Sequence, residues 1–243
     1  MSAAQPSPPP SQSDAEKDAA AAHAVGLVKS GMVVGLGTGS TAAFAVKRLG
    51  AMVRAGLAIR GVPTSEDTRR LATSEGITMV PLEDVTGLDL AIDGADEADQ
   101  HLNLIKGGGG ALLREKVVAR MARTFVVIVD STKLVQTLGA FPLPVEVIPF
   151  ARGAVAREIQ ALGCVPTLRV RRDGAPFVTD NGNHILDCRF GRIDDPERIA
   201  ARLDGIPGVA EHGLFLGMAE LLIVGQRGGG TKVFGPRRPN PGV

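Results

Sequence analysis

Residues 32–50, MVVGLGTGSTAAFAVKRLG, combine three kinds of chain. The apolar run Met32–Leu36 is short and bounded by glycine, which reads as a buried strand. Gly37, Thr38 and Gly39 then form a turn. After it Phe44, Leu49, Met52 and Val53 recur along one face, which predicts a helix. The same unit recurs downstream. LAIRGV (57–62), ITMV (77–80), LDLAID (88–93) and TFVVIVD (124–130) read as strands. SEDTRRLATSEG (65–76), with Ser65 as a candidate N-cap, and ALLREKVVARMA (111–122) read as helices. Strands that are apolar throughout and alternate with helices predict an α/β fold, with a parallel sheet covered on both faces. Sites in such sheets lie beyond the carboxyl ends of the strands. Three unusual stretches fall there: GTGST (37–41), DGADEAD (93–99) and KGGGG (106–110), the last preceded by Lys106 itself.

Ahead of the first strand, DAEKDAAAAHAVGLVKSG (14–31) predicts a helix starting near Asp14 and stopped by Gly31. The pattern changes near residue 140. GAFPLPVEVIPF (139–150) carries three prolines and leads into the helix ARGAVAREIQALG (151–163). PTLRVRR (166–172) and PFVTDNGNHILDCRF (176–190) contain strand-like runs around polar turns. DPERIAARLDGIPG (195–208) is a further helix, with Asp195 as N-cap before Pro196. We therefore expect a larger α/β unit over 14–140 and 209–234, with a smaller α+β unit over 141–208 inserted in the C-terminal half. Two more strands near the end should rejoin the first sheet. Residues 1–13 and 235–243, rich in Pro and Ser or in Pro and Arg, read as disordered tails.

Composition excludes several classes. With 27 basic and 26 acidic residues among 243, no overall field draws the chain to nucleic acid or to a membrane. Aromatic residues make up 3%, with no Trp or Tyr, so base-stacking platforms are scarce. No apolar run reaches the ~18 residues of a transmembrane helix. Cys164 and Cys188 share no CxxC or Cys/His spacing, and we read both as free thiols in a reducing compartment. Together these features predict a soluble cytoplasmic protein.

Each unusual stretch admits a chemical and a structural reading. The turn Gly37–Thr41 brings backbone amides, the hydroxyls of Thr38, Ser40 and Thr41, and a helix start together. That suits a phosphate or a plain helix cap. Its spacing is neither the dinucleotide fingerprint nor the P-loop. Gly107 to Gly110 fit where backbone wraps closely around a ligand, or simply a flexible loop; Glu115 follows Lys106 by nine residues, early in the next helix. In DGADEAD, Asp93, Asp96, Glu97 and Asp99 could bind a divalent metal, form a solvated turn, or hydrogen-bond sugar hydroxyls and relay protons. No supporting His or acid spacing favours the metal. Glu97 and Asp99 suit the solvated or structural role, whereas Asp93 ends an apolar strand with Gly94 and Ala95 leaving space beside it. Lys133 in VDSTK (129–133) is a phosphate contact or a solvated lysine. His23, His101, His184 and His212 form no pair with ligand spacing.

At these residues the chain resembles ribose-5-phosphate isomerase of the A type. VGLGTGSTAA (34–43), IDGADEAD (92–99), IKGGGGALLREK (105–116), VDSTK, FPLPVEVIPFAR (141–152) and VTDNGNHILD (178–187) follow in that family's order. The resemblance implies a Rossmann-like, doubly wound, mainly parallel sheet with a smaller α+β unit, in a homodimer or homotetramer. It also implies interconversion of ribose 5-phosphate and ribulose 5-phosphate in the pentose phosphate pathway, with no cofactor and no metal. By the same resemblance Glu115 is the proton acceptor between C2 and C1, and Lys106 with Gly107, Gly108 and Gly109 holds the enediolate oxygens. Asp93 and Asp96, with Gly94 and Ala95 between them, bind sugar oxygens and assist ring opening. Thr38, Gly39, Ser40, Thr41 and Lys133 match substrate-binding positions, and Lys17 falls where the family has a basic residue near the phosphate. The chain departs from the family at Gly110, where Ala is common, and after about residue 213. Two rivals share the glycine turn. A sugar-phosphate sensor would carry a helix-turn-helix arm, for which thirteen residues ahead of the first helix are too few. A nucleotide or acyl-CoA enzyme would show another fingerprint or nucleophile.

Overall fold

The computed structural model describes residues 11–235. Its centre is a seven-stranded sheet of β1 (Val33–Leu36), β2 (Arg60–Pro63), β3 (Thr78–Met79), β4 (Leu90–Asp93), β7 (Phe125–Val129), β13 (Leu221–Gly225) and β14 (Thr231–Phe234), in the order β14-β13-β7-β4-β1-β2-β3. All neighbours run parallel except the hairpin pair β13–β14. The helices are α1 (Gln12–Val25), α2 (Ser40–Arg54), α3 (Glu66–Ser74), α4 (Leu112–Met121), α5 (Arg152–Gln160) and α6 (Pro196–Asp204).

Strand alternation divides the apolar runs between two cores. Val34, Leu36, Leu90, Ile92, Val126 and Ile128 pack with Ala20 and Ala24 of α1, Ala45 and Leu49 of α2 and Ala72 of α3. Val33, Ala91, Phe125, Val127 and Val129 point the other way, onto Val118 and Ala119 of α4 and onto Phe215. Both faces are therefore covered, which is why these strands read as continuous apolar runs. At Gly35 a β-carbon would sit 2.5 Å from Val118 Cγ1, so the missing side chain lets α4 lie close against β1.

From β1 the chain winds outward through β2 and β3, then returns to the opposite side of β1 with β4. The crevice at this reversal is where doubly wound sheets place ligands. GTGST leaves the end of β1 and DGADEAD the end of β4, so the topology sets two of the three unusual stretches side by side. The third follows β6 (Leu104–Ile105), which pairs with β5 (Glu97–Ala98) and β12 (Leu214–Phe215) in a small antiparallel sheet.

The smaller unit is an antiparallel sheet of β8 (Leu143–Val147), β9 (Val165–Leu168), β10 (His184–Arg189) and β11 (Val209–His212), in the order β11-β8-β10-β9, packed with α5 and α6. Cys164 and Cys188 are free and buried in its core.

The observed elements differ from expectation in three places. First, α1 begins at Gln12, because Ser11 Oγ accepts the Asp14 amide as an N-cap; the expected tail reaches into this helix, and residues 1–10 and 236–243 lie outside the described chain. Second, the segment after residue 208 holds four short strands, and the first of them, β11, pairs with β8 of the smaller sheet. The sheet changes at Gly213, whose carbonyl accepts from Lys106 N and whose amide donates to Pro144 O, in a space that a side chain would block. Third, Pro176–Val178 makes one bridge with Val170 and then gives way to a turn at Thr179–Asn183. That turn is folded around the buried Glu146 carboxylate, which accepts from Thr179 Oγ1, Asn181 Nδ2 and Asn183 Nδ2 at 2.9–3.1 Å. Among the described residues no helix is long and apolar enough to cross a membrane.

Candidate active site

A cavity of about 300 Å³ opens at the crevice, lined by Thr38 to Thr41, Gly94 to Asp96, Lys106 to Gly109, Glu115, and Asp130, Thr132 and Lys133 with Ser13 and Lys17 of α1. At its floor lie Lys106 and Glu115, with Asp93 behind them, three charged side chains each at most 4% exposed. Lys106 Nζ sits 3.0 Å from Asp93 Oδ2 and 3.5 Å from Glu115 Oε2, and donates to Gly94 O at 2.6 Å. The ring of Phe215 lies 5.4 Å beneath the ammonium, at cation–π range.

Two carboxyls and one ammonium removed from water carry one negative charge too many, so a proton is held between them. Burial pushes Glu115 up to about 8, against the pull of Lys106. Burial also raises Asp93, opposed by Lys106 and by the amides of Gly94 and Thr38. Of the two, Glu115 is the natural holder of the proton. Asp93 Oδ1 accepts the Thr38 and Gly94 amides at 3.1 and 2.7 Å, whereas Glu115 Oε2 is buried with no hydrogen-bond partner among the described residues. Lys106 loses solvation on burial but stands beside both carboxylates, which outweigh that loss and raise its pKa. It therefore remains an ammonium.

Asp93 and Asp96, three residues apart, diverge. Asp93 lies behind Lys106, with both oxygens engaged, and does not line the cavity. The backbone at Gly37 runs across its carboxylate, where a β-carbon would collide with it. Asp96 lines the cavity and accepts the Gly108 amide at 2.7 Å. The remaining acids of the stretch are buried and structural, so the solvated alternative fails for both. Glu97 accepts the amides of Gly139 and Phe141 at 2.7 and 2.6 Å. Asp99 closes its own turn onto His101 and Asn103.

Another part of the cavity lining suits an anion. Helix α2 starts at Ser40 with no side-chain cap, which leaves its first amides free. Ser40 and Thr41 line the cavity together with Lys17 and Lys133. Thr38 also lines the wall, but its hydroxyl is taken up with those of Thr64, Ser65 and Thr68. Its contribution is therefore to hold the turn in place.

Sequence reasoning missed the group that joins the two lysines. Glu16 of α1 is buried and accepts both the amide and the hydroxyl of Ser131, at 2.8 and 2.6 Å. Ser13 Oγ donates to Asp130 on the same loop. An acid within an Ala-rich helix carries no mark of such a partner.

Among the described residues one grouping has metal-ligand side chains close together: Asp204, Glu211 and His212. It lies outside this cavity, and Lys116 Nζ already pairs with one of its members, 2.5 Å from Glu211 Oε1. Burial, with Lys116 nearby, holds His212 down at about 4.

This arrangement sets a titrating carboxyl, a fixed cation and a set of groups that suit an anion around one cavity. Known proteins with similar chains agree in kind. The family profile described as ribose 5-phosphate isomerase A (phosphoriboisomerase A) matches residues 60–229. The ribose-5-phosphate isomerase A of Parvibaculum lavamentivorans is 54% identical over 218 residues, covering 87% of this chain and 94% of its own. That of Methylorubrum extorquens is 55% identical over 223 residues, covering 89% and 94%. Among solved structures, the ribose 5-phosphate isomerase of Plasmodium falciparum superposes with a TM-score of 0.89 at 34% identity, covering 93% of this chain and all of its own. A D-ribose-5-phosphate isomerase in complex with phospho-erythronic acid reaches 0.88 at 44% identity, covering 91% and 98%. Six motifs in order, the doubly wound sheet and these similarities converge: the chain belongs to the ribose 5-phosphate isomerase A family.

Proposed function

We propose that the protein interconverts D-ribose 5-phosphate and D-ribulose 5-phosphate, with Glu115 carrying the proton between C2 and C1. The observation that carries this reading is the Glu115 carboxyl, buried at the cavity floor against Lys106 and raised to about 8. A group poised near neutral pH serves as base in one half of the reaction and as acid in the other. Starting from the open-chain aldose, Glu115 takes the C2 proton and the electron pair forms the C1=C2 bond, leaving negative charge on O1. Glu115 then returns the proton to C1 while the O2 hydroxyl proton passes to O1, giving the ketose. Lys106 and the glycine-loop amides face the oxygens on which charge develops, and a preorganised donor of this kind contributes about 10²- to 10³-fold.

Asp96, whose carboxylate reaches the cavity, is the group for the sugar hydroxyls and for ring opening. Asp93 acts through Lys106, holding its ammonium in place. The phosphate takes the α2 N-terminus with Ser40, Thr41, Lys17 and Lys133. Phospho-erythronic acid, found with one relative, is itself a phosphorylated polyhydroxy acid, whose planar carboxylate resembles an enediolate. The reading also carries a cytoplasmic homodimer or homotetramer, checked by analytical ultracentrifugation.

The direct test is turnover of ribose 5-phosphate, with and without EDTA. Activity unchanged by EDTA is expected, and kcat/KM should rise with pH through about 8 as Glu115 loses its proton. Absence of turnover overturns the assignment, and EDTA-sensitive turnover reopens a metal role. A second expectation concerns Glu16, which ties Lys17 to the Lys133 loop. Glu16→Ala should raise KM for ribose 5-phosphate by about tenfold, the scale of one charged hydrogen bond, with little change in kcat, measured by steady-state kinetics.

A further inference from the structure

The motifs FPLPVEVIPFAR and VTDNGNHILD belong to the smaller unit, none of whose residues line the cavity. One side chain from that unit nevertheless reaches the site's glycine loop. Arg169, just beyond β9, donates through Nη1 to the carbonyls of Gly107 at 2.8 Å and Gly108 at 3.1 Å. Its other nitrogens grip the Asp187 carboxylate of β10, Nε at 3.0 Å and Nη2 at 2.5 Å. Its backbone is held on both sides, by Ile185 O and by Phe177 N. The guanidinium also lies 5.9 Å from the Phe177 ring centre. That ring fills the space at Gly110, which has φ +82° and where a β-carbon would collide with it. The loop is thus gripped from behind, through its carbonyls, by a rigid and charged fork.

The residues of the same peptides line the cavity. The carbonyl of Gly107 and the amide of Gly108 belong to one peptide unit, as do the carbonyl of Gly108 and the amide of Gly109. The Gly108 amide holds Asp96. Gly109 lines the cavity, and its amide makes no hydrogen bond with the described residues. A cation shared by the two carbonyls withdraws electron density from their peptides and strengthens the amides as donors, the cooperative effect of a hydrogen-bond chain.

We propose that Arg169 is a positioning residue for the reaction: it fixes and polarises the 107–109 peptides, so that Gly108 aims Asp96 and Gly109 offers its amide to the developing enediolate. This rests on the isomerase reading above. A guanidinium that merely joined the two units would have no effect specific to the transition state.

The test compares Arg169→Met, Arg169→Lys and Arg169→Ala with the unsubstituted protein in ribose 5-phosphate turnover, alongside inhibition by phospho-erythronic acid and thermal melting. For Arg169→Met, kcat should fall by roughly 10- to 100-fold, below the loss for a donor that touches the oxyanion directly. KM should stay within about threefold, and the inhibitor should weaken in parallel with kcat/KM, as expected for a transition-state mimic. Lysine keeps the charge but cannot span both carbonyls and Asp187, so Arg169→Lys should lose about tenfold in kcat with an unchanged melting temperature. Added guanidinium ion should restore turnover in Arg169→Ala, and ammonium should not. A folded Arg169→Met with kcat within about twofold of the unsubstituted protein overturns the proposal, as does a rise in KM alone. If the Met variant fails to fold, Arg169→Lys decides: full activity in it overturns the proposal. An inactive unsubstituted protein overturns the isomerase reading instead, and this inference with it.

Discussion

Glu115→Gln is expected to lower kcat for ribose 5-phosphate by about 10²- to 10⁴-fold, the range assigned to a positioned general base, while KM stays within a few-fold. The amide matches the carboxyl in shape but cannot accept the C2 proton. Near-normal turnover in steady-state assays would remove Glu115 from its role. The same substitution should have the opposite effect on stability. A carboxyl held at about 8 in the fold, against 4.5 as its ordinary value, keeps its proton in the native state after the unfolded chain has lost it. The native state therefore binds more protons across that interval, and stability falls as pH rises from about 4.5 to about 8. At about 1.4 kcal/mol per pKa unit, the loss is on the order of several kcal/mol. Glutamine imitates the protonated form at every pH. Thermal melts should therefore coincide near pH 5, and the variant should melt higher at pH 9. Coincident melts at pH 9 would show that Glu115 is not held protonated.

Lys106→Met is expected to damage both catalysis and folding. The ammonium is the cation facing both Asp93 and Glu115 at the floor of the site. Removing one member of a buried ionic group leaves uncompensated charge and costs about 3–5 kcal/mol. Turnover should fall by at least the ~10²-fold ascribed to a lost oxyanion donor. At pH 9, adding Glu115→Gln should recover much of the stability and none of the activity, because the amide then replaces a carboxyl that would ionise with no cation beside it. Denaturant melts of the two single variants and the double variant measure this coupling. Simple additivity would mean that the three groups do not share their charge.

Much of this site is legible in the sequence because its parts break the periodicity around them. Four glycines in a row, a carboxylate ending an apolar strand and a Gly-Thr-Gly turn between strand and helix are each poor choices for plain structure. Doubly wound topology then brings them together. What stayed hidden depends on partners far along the chain. Glu97 reads as a solvent-facing acid until the amides of Gly139 and Phe141 are found against it. Asp93 and Asp96 look equivalent, and only the path of the chain after β4 sends one behind Lys106 and the other into the cavity. Arg169 is one of several arginines in PTLRVRR, and its reach to Gly107 follows from the pairing of β9 with β10. The strands β11 and β12 are short and meet at Gly213, so alternation across them is too brief to mark where one sheet ends.

Among the described residues, every one that lines the cavity falls between Ser13 and Lys133. Selectivity and rigidity are thereby written in different parts of the chain. Directed evolution toward other sugar phosphates would find its useful diversity in the first 133 positions, at the cradle, the acids, Lys17 and Lys133. Recombining residues 143–212 between relatives would leave substrate identity alone and change how firmly the loop is held. The C-terminal half would then act as a tuning element for rate and temperature range, free to drift without redrawing what the enzyme recognises.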